Sequence, residues 1–469
     1  MPALRTYLRR TSWPIIVAML ALMTIGVLAI RVSGRADADL AGQAAKQLRF
    51  AALGLAVFFA ATLVPYHRVG RLSYLFFVLT LLLLVAVLFT SPVNGSRRWF
   101  DLKFMMFQPS ELAKLTYILM LAWYLRYGDN YRRFRGLILP LALACLPMGL
   151  ILAEPDMDAT LLLLPTLYFM LFMAGAKLRH LLGVVAVGAV LMFLPVPRAV
   201  EADSFAQQRD GLVQSHLGPI SFYRVDDSLP WRQRPKVPLA YCRAQLGSGG
   251  VYDIQPLSLR VLGSHQIRRV EGWLRQDDPR VVDNEGFQLR WSLVTLASGG
   301  WAGGEADADD PRADMLPVAL GQLPEDHTDF IFSVIGGRWG FLGCLAVLFL
   351  YAVIFVFGME IASITYDPFG RLLAVGILGL MLSQLFINTG MTMGLIPITG
   401  MTLPLLSYGG SSLLVNCAAL GLLVNVGQHR PILLGKRPFE YGQRREKQVN
   451  IESTVDLSSR GGMRTRNGR

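Results

Sequence analysis

The sequence predicts an all-α polytopic membrane protein with about ten transmembrane helices and a large extracytoplasmic loop between the seventh and eighth. Hydrophobic residues make up 53% of the 469 and charged residues only 17%, against about 25% charged in an average soluble domain. Apolar runs recur, each long enough to cross a hydrocarbon layer of about 30 Å. Positive charge is spread unevenly: half of the net +12 lies in 428–469, after the last apolar run, where ten Lys and Arg face four Asp and Glu. In a soluble protein such an excess can mark nucleic acid binding. Placed there, it reads as a cytoplasmic tail near anionic membrane lipid, and no nucleic acid partner is expected.

Ten candidate spans follow from apolar runs and flanking charge, at about 13–30, 48–65, 73–90, 111–126, 137–153, 159–175, 180–196, 340–359, 371–390 and 408–427. The first follows Arg5, Arg9 and Arg10 like a signal peptide, but its core is long and no small-residue cleavage site follows directly, so it reads as a retained helix. The chain then divides into helices one to seven over 1–196, the large loop over 197–339, helices eight to ten over 340–427, and the tail. With the N-terminus inside, the inner connections carry Arg68 and Arg71, then Arg126, Arg132, Arg133 and Arg135, then Lys177 and Arg179, while 154–158 and 391–407 carry no Lys or Arg. That bias favours both termini inside and puts the 91–110, 154–158, 197–339 and 391–407 segments outside.

Cys145, Cys344 and Cys417 lie in apolar runs and Cys242 stands alone, so neither a disulfide framework nor a metal-binding pair is expected. Polar residues near the outer ends are more informative. Pro109 suits the first turn of a helix, on which Glu111 and Lys114 share a face. Such a pair either anchors the helix at the interface or lines a polar cavity. Glu154, Asp156 and Asp158 crowd one short turn, a solvated loop or a polar or cation-binding site. In the large loop, the 200–265 stretch has no assigned role. Beyond it, His265, Gln266, Arg268 and Arg269 precede Gln288 and the glycine cluster of Gly299, Gly300, Gly303 and Gly304. Arginine pairs suit phosphates, and the glycines suit either an anion or a plain turn. In Glu325-Asp326-His327-Thr328-Asp329, Asp329 stands directly before Phe330-Ile331-Phe332. It is either a partly desolvated base or a helix cap. The 394–412 segment, rich in Gly and Pro, suits a broken element covered by protein rather than a continuous helix.

These motifs in this order, GSRRW with QPSELAK, then PEDHTDFIF, then GLIPITGMTLPLLSYGGSS, resemble the SEDS family of bacterial cell-wall synthesis, the group of RodA and FtsW. The resemblance covers the chain except about 200–260 and the tail. RWFDLKFMMFQPSE reads closer to RodA and SYGGSSLLV at least as close to FtsW. It implies a peptidoglycan glycosyltransferase that polymerises lipid II at the outer face of the bacterial cytoplasmic membrane, with a class B penicillin-binding protein as transpeptidase partner. The family's essential loop aspartate corresponds to Asp329, its outer-loop tryptophan to Trp99, its cavity pair to Glu111 and Lys114, and its x-P-D aspartate to Asp156. Arg268, Arg269, Gln288, His327 and Ser407 join these as candidate substrate contacts. Three departures stand out: Asp158 where the family usually has Gly, Gly337-Arg338 where it usually has two Glu, and an apparent insertion near 200–260.

The implied reaction needs a base for the acceptor hydroxyl and positive charge for the leaving pyrophosphate. Asp329 is the expected base; Arg268 and Arg269, or a divalent cation, are the candidates for the phosphates. No other cofactor is expected. A lipid II flippase and a non-catalytic scaffold of a cell-wall synthase are the rival readings. A transporter needs polar groups through both leaflets, whereas those of this sequence gather on one side.

Overall fold

The computed structural model describes residues 11–36, 42–92, 96–127, 132–154, 156–193, 195–200, 212–217, 220–225, 242–246, 251–256, 264–274, 276, 286–303 and 323–429. The basic tail beyond 429, Asn94, Gly95, Pro155, Gly304 and the Arg268 side chain lie outside the described residues.

Each of the ten expected spans coincides with a helix. They are α1 (Trp13–Ala36), α2 (Gln43–Leu63), α4 (Ser73–Val87), α5 (Pro109–Leu125), α6 (Ile138–Ala153), α7 (Met157–Ala174), α8 (Leu178–Phe193), α11 (Ile331–Ile364), α12 (Pro368–Thr392) and α13 (Gly410–Gln428). A short α3 (Tyr66–Arg71) joins α2 to α4, and α9 (Ser264–Leu274) and α10 (Phe287–Ser298) lie in the large loop. Among the described residues seven helices are long and apolar enough to cross a membrane. The chain is a multi-pass membrane protein.

Local chemistry sets the helix ends. Asp156 caps α7 by accepting from the Ala159 amide at 3.4 Å, and Gly175, at φ +97°, closes it. Asp367 caps α12 by accepting from the Gly370 amide at 2.9 Å, with Pro368 at the first helical position. Inside the bundle α2 packs on α13, α1 on α11, and α12 on α5 and α7. Asn425, fully buried in α13, donates to the carbonyls of Thr62 at 2.6 Å and Val64 at 3.1 Å and accepts from the Tyr66 amide at 3.0 Å. It thereby satisfies the backbone where α2 ends.

The described loops gather at two ends of the bundle. At one end Gln428 reaches Thr11 at 3.0 Å, and His67 lies 3.3 Å from Asp367. At the other, the 96–108, 154–158, 323–330 and 391–409 segments converge. The 393–409 stretch is irregular, yet Met401, Leu403, Leu405 and Leu406 are buried in it, so it is a broken element covered by protein.

Two features differ from expectation. The large polar loop ends earlier than residue 339, because α11 starts at Ile331 and breaks at Gly340, where φ is +64°. The glycine cluster lies against this break: a Cβ on Gly299 would strike the Gly336 carbonyl, and one on Gly340 would lie 2.6 Å from the Ala302 amide. These glycines allow α10 and α11 to touch, so close backbone packing accounts for them. The described part of 195–256 also departs from an all-α fold. It holds β3 (Pro195–Val200), β4 (Leu212–Leu217), β5 (Ile220–Val225), β6 (Cys242–Leu246) and β7 (Val251–Pro256), in an antiparallel sheet of order β3-β7-β6-β5-β4.

Candidate active site

A turn at 324–330 carries Asp329 into the converging loops. Backbone bonds close it, the amides of Thr328 and Asp329 donating to the Glu325 carbonyl at 3.2 and 3.0 Å. Buried side chains hold it from below. Asn388 of α12 donates to the Asp329 carbonyl at 2.8 Å. Ser407 donates to the Thr328 carbonyl at 2.5 Å and accepts from the Leu403 amide at 2.8 Å. Tyr408 donates its amide to the His327 carbonyl at 2.9 Å. Beneath, Leu289, Leu323, Phe330 and Ile398 form a small apolar core with Trp273 and Trp291 packed on it. Asp329 itself keeps a partly exposed face.

The α9 helix is stapled to the same loops: Trp273 donates to the Gly394 carbonyl at 2.8 Å, and Arg269 to the Thr399 carbonyl at 2.7 Å. Arg269 thus lies across Gly400 from Asp329: an ideal Cβ on Gly400 would lie 2.9 Å from its Nη1 and 3.3 Å from Oδ2 of Asp329. Arg98 is anchored by its bond to the Glu154 carbonyl at 3.1 Å. Burial raises the Asp329 carboxyl to about 6; Arg269 opposes the rise, Glu325 adds to it, and His327 and Arg98 oppose it. Glu154 is buried with both carboxyl oxygens unpartnered. Desolvation, reinforced by Asp156 and opposed by Arg98, raises it to about 8.

Asp156 is buried, and one of its carboxyl oxygens accepts from Gln108 at 2.8 Å and from Ser110 at 2.7 Å. It ties the start of α5 to the start of α7. The hairpin of β1 (Phe100–Asp101) and β2 (Met106–Phe107) is pinned to α13 through Ser411, which donates to the Met106 carbonyl at 2.9 Å and accepts from the Gln108 amide at 3.0 Å. Farther down α5, Lys114 and Glu111 form a buried ion pair at 2.7 Å, and the second Glu111 oxygen is unpartnered.

Of the residues expected at the site, Asp329, Arg269 and His327 come together, and Asp156 supports the neighbouring turn. His327 pairs with Asp326 at 3.2 Å. Ser407 is buried with its hydroxyl committed to backbone, which makes it a support rather than a substrate contact. Trp99, beside Arg98, and Gln288, in the first turn of α10, are half-buried and make no described bond to Asp329. Reading the sequence alone overlooks Asn388 and Arg98 as site residues. Asn388 lies inside an apolar helix without a motif, while Arg98 is one residue from Trp99 in the GSRRW motif. Among the described residues no group of three or more His, Cys, Asp or Glu side chains is arranged to hold a metal ion.

The sequence profile of the FtsW, RodA and SpoVE family of cell cycle proteins matches residues 11–219 and 246–431. The unmatched gap falls inside the sheet insertion. The peptidoglycan glycosyltransferase RodA of Treponema pallidum is 33% identical over 427 residues, covering 88% of this chain and 96% of that protein. A probable peptidoglycan glycosyltransferase FtsW of Methylococcus capsulatus is 33% identical, covering 81% and 79%. A solved structure describing the coordination of polymerization and crosslinking by a peptidoglycan synthase complex contains a chain 25% identical. It covers 90% of this chain and 99% of that one, with a TM-score of 0.64.

Proposed function

The chain belongs to the FtsW, RodA and SpoVE family of cell cycle proteins, and from that premise we propose that it is a peptidoglycan glycosyltransferase polymerising lipid II at the outer face of the cytoplasmic membrane. The end where Asp329 lies then faces outward, both termini face the cytoplasm, and a class B penicillin-binding protein crosslinks the product. The peptidoglycan synthase complex among the similar structures supports such a partner.

The observation that carries this reading is a carboxylate with a basicity suited to neutral pH, acted on by the charges of two guanidiniums, Arg269 and Arg98. Asp329, raised to about 6, is mostly ionised at neutral pH and still basic enough to take a proton. The 4-hydroxyl of the acceptor sugar attacks the anomeric carbon of the donor, its proton passes to Asp329, and the bond from that carbon to the pyrophosphate oxygen breaks. Undecaprenyl pyrophosphate leaves with its charge, which Arg269 and Arg98 meet as forked donors. The sign of the pH dependence follows: protonation removes the base, so the rate falls as pH drops through about 6. Glu111 and Lys114 lie on α5, where one Glu111 carboxyl oxygen is buried without a partner.

The test is the full chain in phospholipid vesicles with fluorescent lipid II, with and without a partner transpeptidase. A ladder of glycan chains is expected. Transfer of lipid II between leaflets, with no chains even beside the partner, would overturn the reading in favour of transport.

A further inference from the structure

The end of the bundle opposite Asp329, cytoplasmic in the orientation proposed above, holds an apolar groove between α6, α7 and α8. Buried Leu137, Leu171 and Leu181 form its floor, and half-buried Leu141, Tyr168 and Val184 its walls. Among the described residues α8 packs mainly on α7, which leaves its side toward α6 open. Two basic segments meet at the mouth of this groove. Arg132, Arg133 and Arg135 stand at the 3-10 turn Phe134–Leu137 that leads into α6, and Lys177 and Arg179 at the turn from α7 into α8. Two contacts bring the segments together. An ideal Cβ on Gly175, which closes α7, would lie 3.7 Å from Nε of Arg132, and the rings of Phe134 and His180 meet edge to face with centroids 6.0 Å apart. Arg133, Arg135, Lys177 and Arg179 are exposed. Neither 132–137 nor 175–184 contains Asp or Glu. Asp129, the nearest acid in the sequence, lies outside the described residues.

Basic residues at a cytoplasmic end are common, because they orient membrane helices. Here two basic segments distant in the chain converge on the mouth of one apolar groove. We propose that this groove binds one anionic phospholipid of the cytoplasmic leaflet, an acyl chain lying along its apolar walls and the phosphate resting among Arg133, Arg135, Lys177 and Arg179. Any lipid tail fills an apolar groove, so the selectivity comes from the headgroup: clustered Lys and Arg between membrane helices favour an anionic phosphate over a zwitterionic one. The arginines add forked donors suited to phosphate oxygens. Bound there, the lipid bridges α6 and α8 where the chain leaves them apart. The inference rests on the proposed orientation and not on the polymerisation chemistry, so a failure to form glycan chains leaves its test standing.

The experiment is native mass spectrometry of the full chain released from detergent micelles with added phosphatidylglycerol or phosphatidylcholine, with thermal unfolding measured on each sample. Phosphatidylglycerol is expected to stay bound to the wild type and to raise its unfolding temperature, and phosphatidylcholine to do neither. Lys177→Gln with Arg179→Gln, and separately Arg133→Gln with Arg135→Gln, should each weaken that binding about tenfold, the order expected for two basic residues at an anionic headgroup. Arg68→Gln with Arg71→Gln removes as much charge from exposed positions on α3 at the same end and should leave the binding nearly intact. Val184→Trp fills the groove with every charge in place and should also lose the lipid. Equal retention of the two lipids, an equal loss in the Arg68 and Arg71 variant, or wild-type binding by folded Val184→Trp each overturns the proposal.

Discussion

The side-chain amide of Asn388 donates to the backbone carbonyl of Asp329 at 2.8 Å, and the same nitrogen serves the carbonyl of Met401. Asn388 is fully buried in α12, so one rigid helix holds both the turn carrying Asp329 and the broken loop facing it. Replacement by leucine strands two carbonyls, at about 1–3 kcal/mol each where water cannot replace the donor. Asn388→Leu is expected to lower the unfolding temperature and the turnover number together, as thermal unfolding in detergent and a lipid II polymerisation assay would record.

Ser407 makes a different prediction from the one its motif suggests. Its hydroxyl is bonded to the Thr328 carbonyl and the Leu403 amide rather than open to a ligand. Ser407→Ala should therefore reduce kcat through a loosened Asp329 turn while leaving KM for lipid II nearly unchanged. A rise in KM alone would make it a substrate contact after all.

Glu154 should confer an alkaline sensitivity. Its value in the fold, about 8, lies above the ordinary 4.5, so the fold favours the protonated form. Stability from that form is complete below the ordinary value and is lost as pH rises through about 8. Unfolding temperatures measured across that range should fall for the wild type and stay flatter for Glu154→Gln, which mimics the neutral acid.

The buried pair of Glu111 and Lys114 predicts a non-additive cycle. Glu111→Gln leaves the Lys114 ammonium buried without its counter-charge, at a cost of about 3–5 kcal/mol. Lys114→Met added to it removes the stranded charge and should recover much of that stability, though not polymerisation if the free Glu111 oxygen binds substrate. Unfolding of both single variants and the double variant measures the coupling.

How far the sequence discloses this arrangement depends on where each determinant lies. The spans are legible because every membrane helix must be apolar along most of its length. Asp329 draws notice because a polar cluster abuts Phe330-Ile331-Phe332, which fits a base and a helix cap equally; only the family resemblance implies the base. The early start of α11 is not, since Gly337, Arg338 and Gly340 interrupt the apolar pattern while Gly340 kinks the helix rather than preceding it. Asn388 and Asn425 are hidden in apolar helices, and their partners lie far along the chain. The approach of Asp158, Arg269 and Asp329 to Gly400 depends on how three elements pack, which periodicity does not encode. The insertion near 200–260 is visible as a departure from the family, but its sheet is not.

The most direct measurement of the central claim is the rate of glycan chain formation from labelled lipid II at neutral pH by the wild-type protein and by Asp329→Asn. The substitution preserves size and leaves the Asn388 bond to the backbone in place, but removes the base. Chains from the wild type, with the variant folded to the same unfolding temperature and forming almost none, are the predicted result. Chains from Asp329→Asn at the wild-type rate would contradict the assignment of Asp329 as the base.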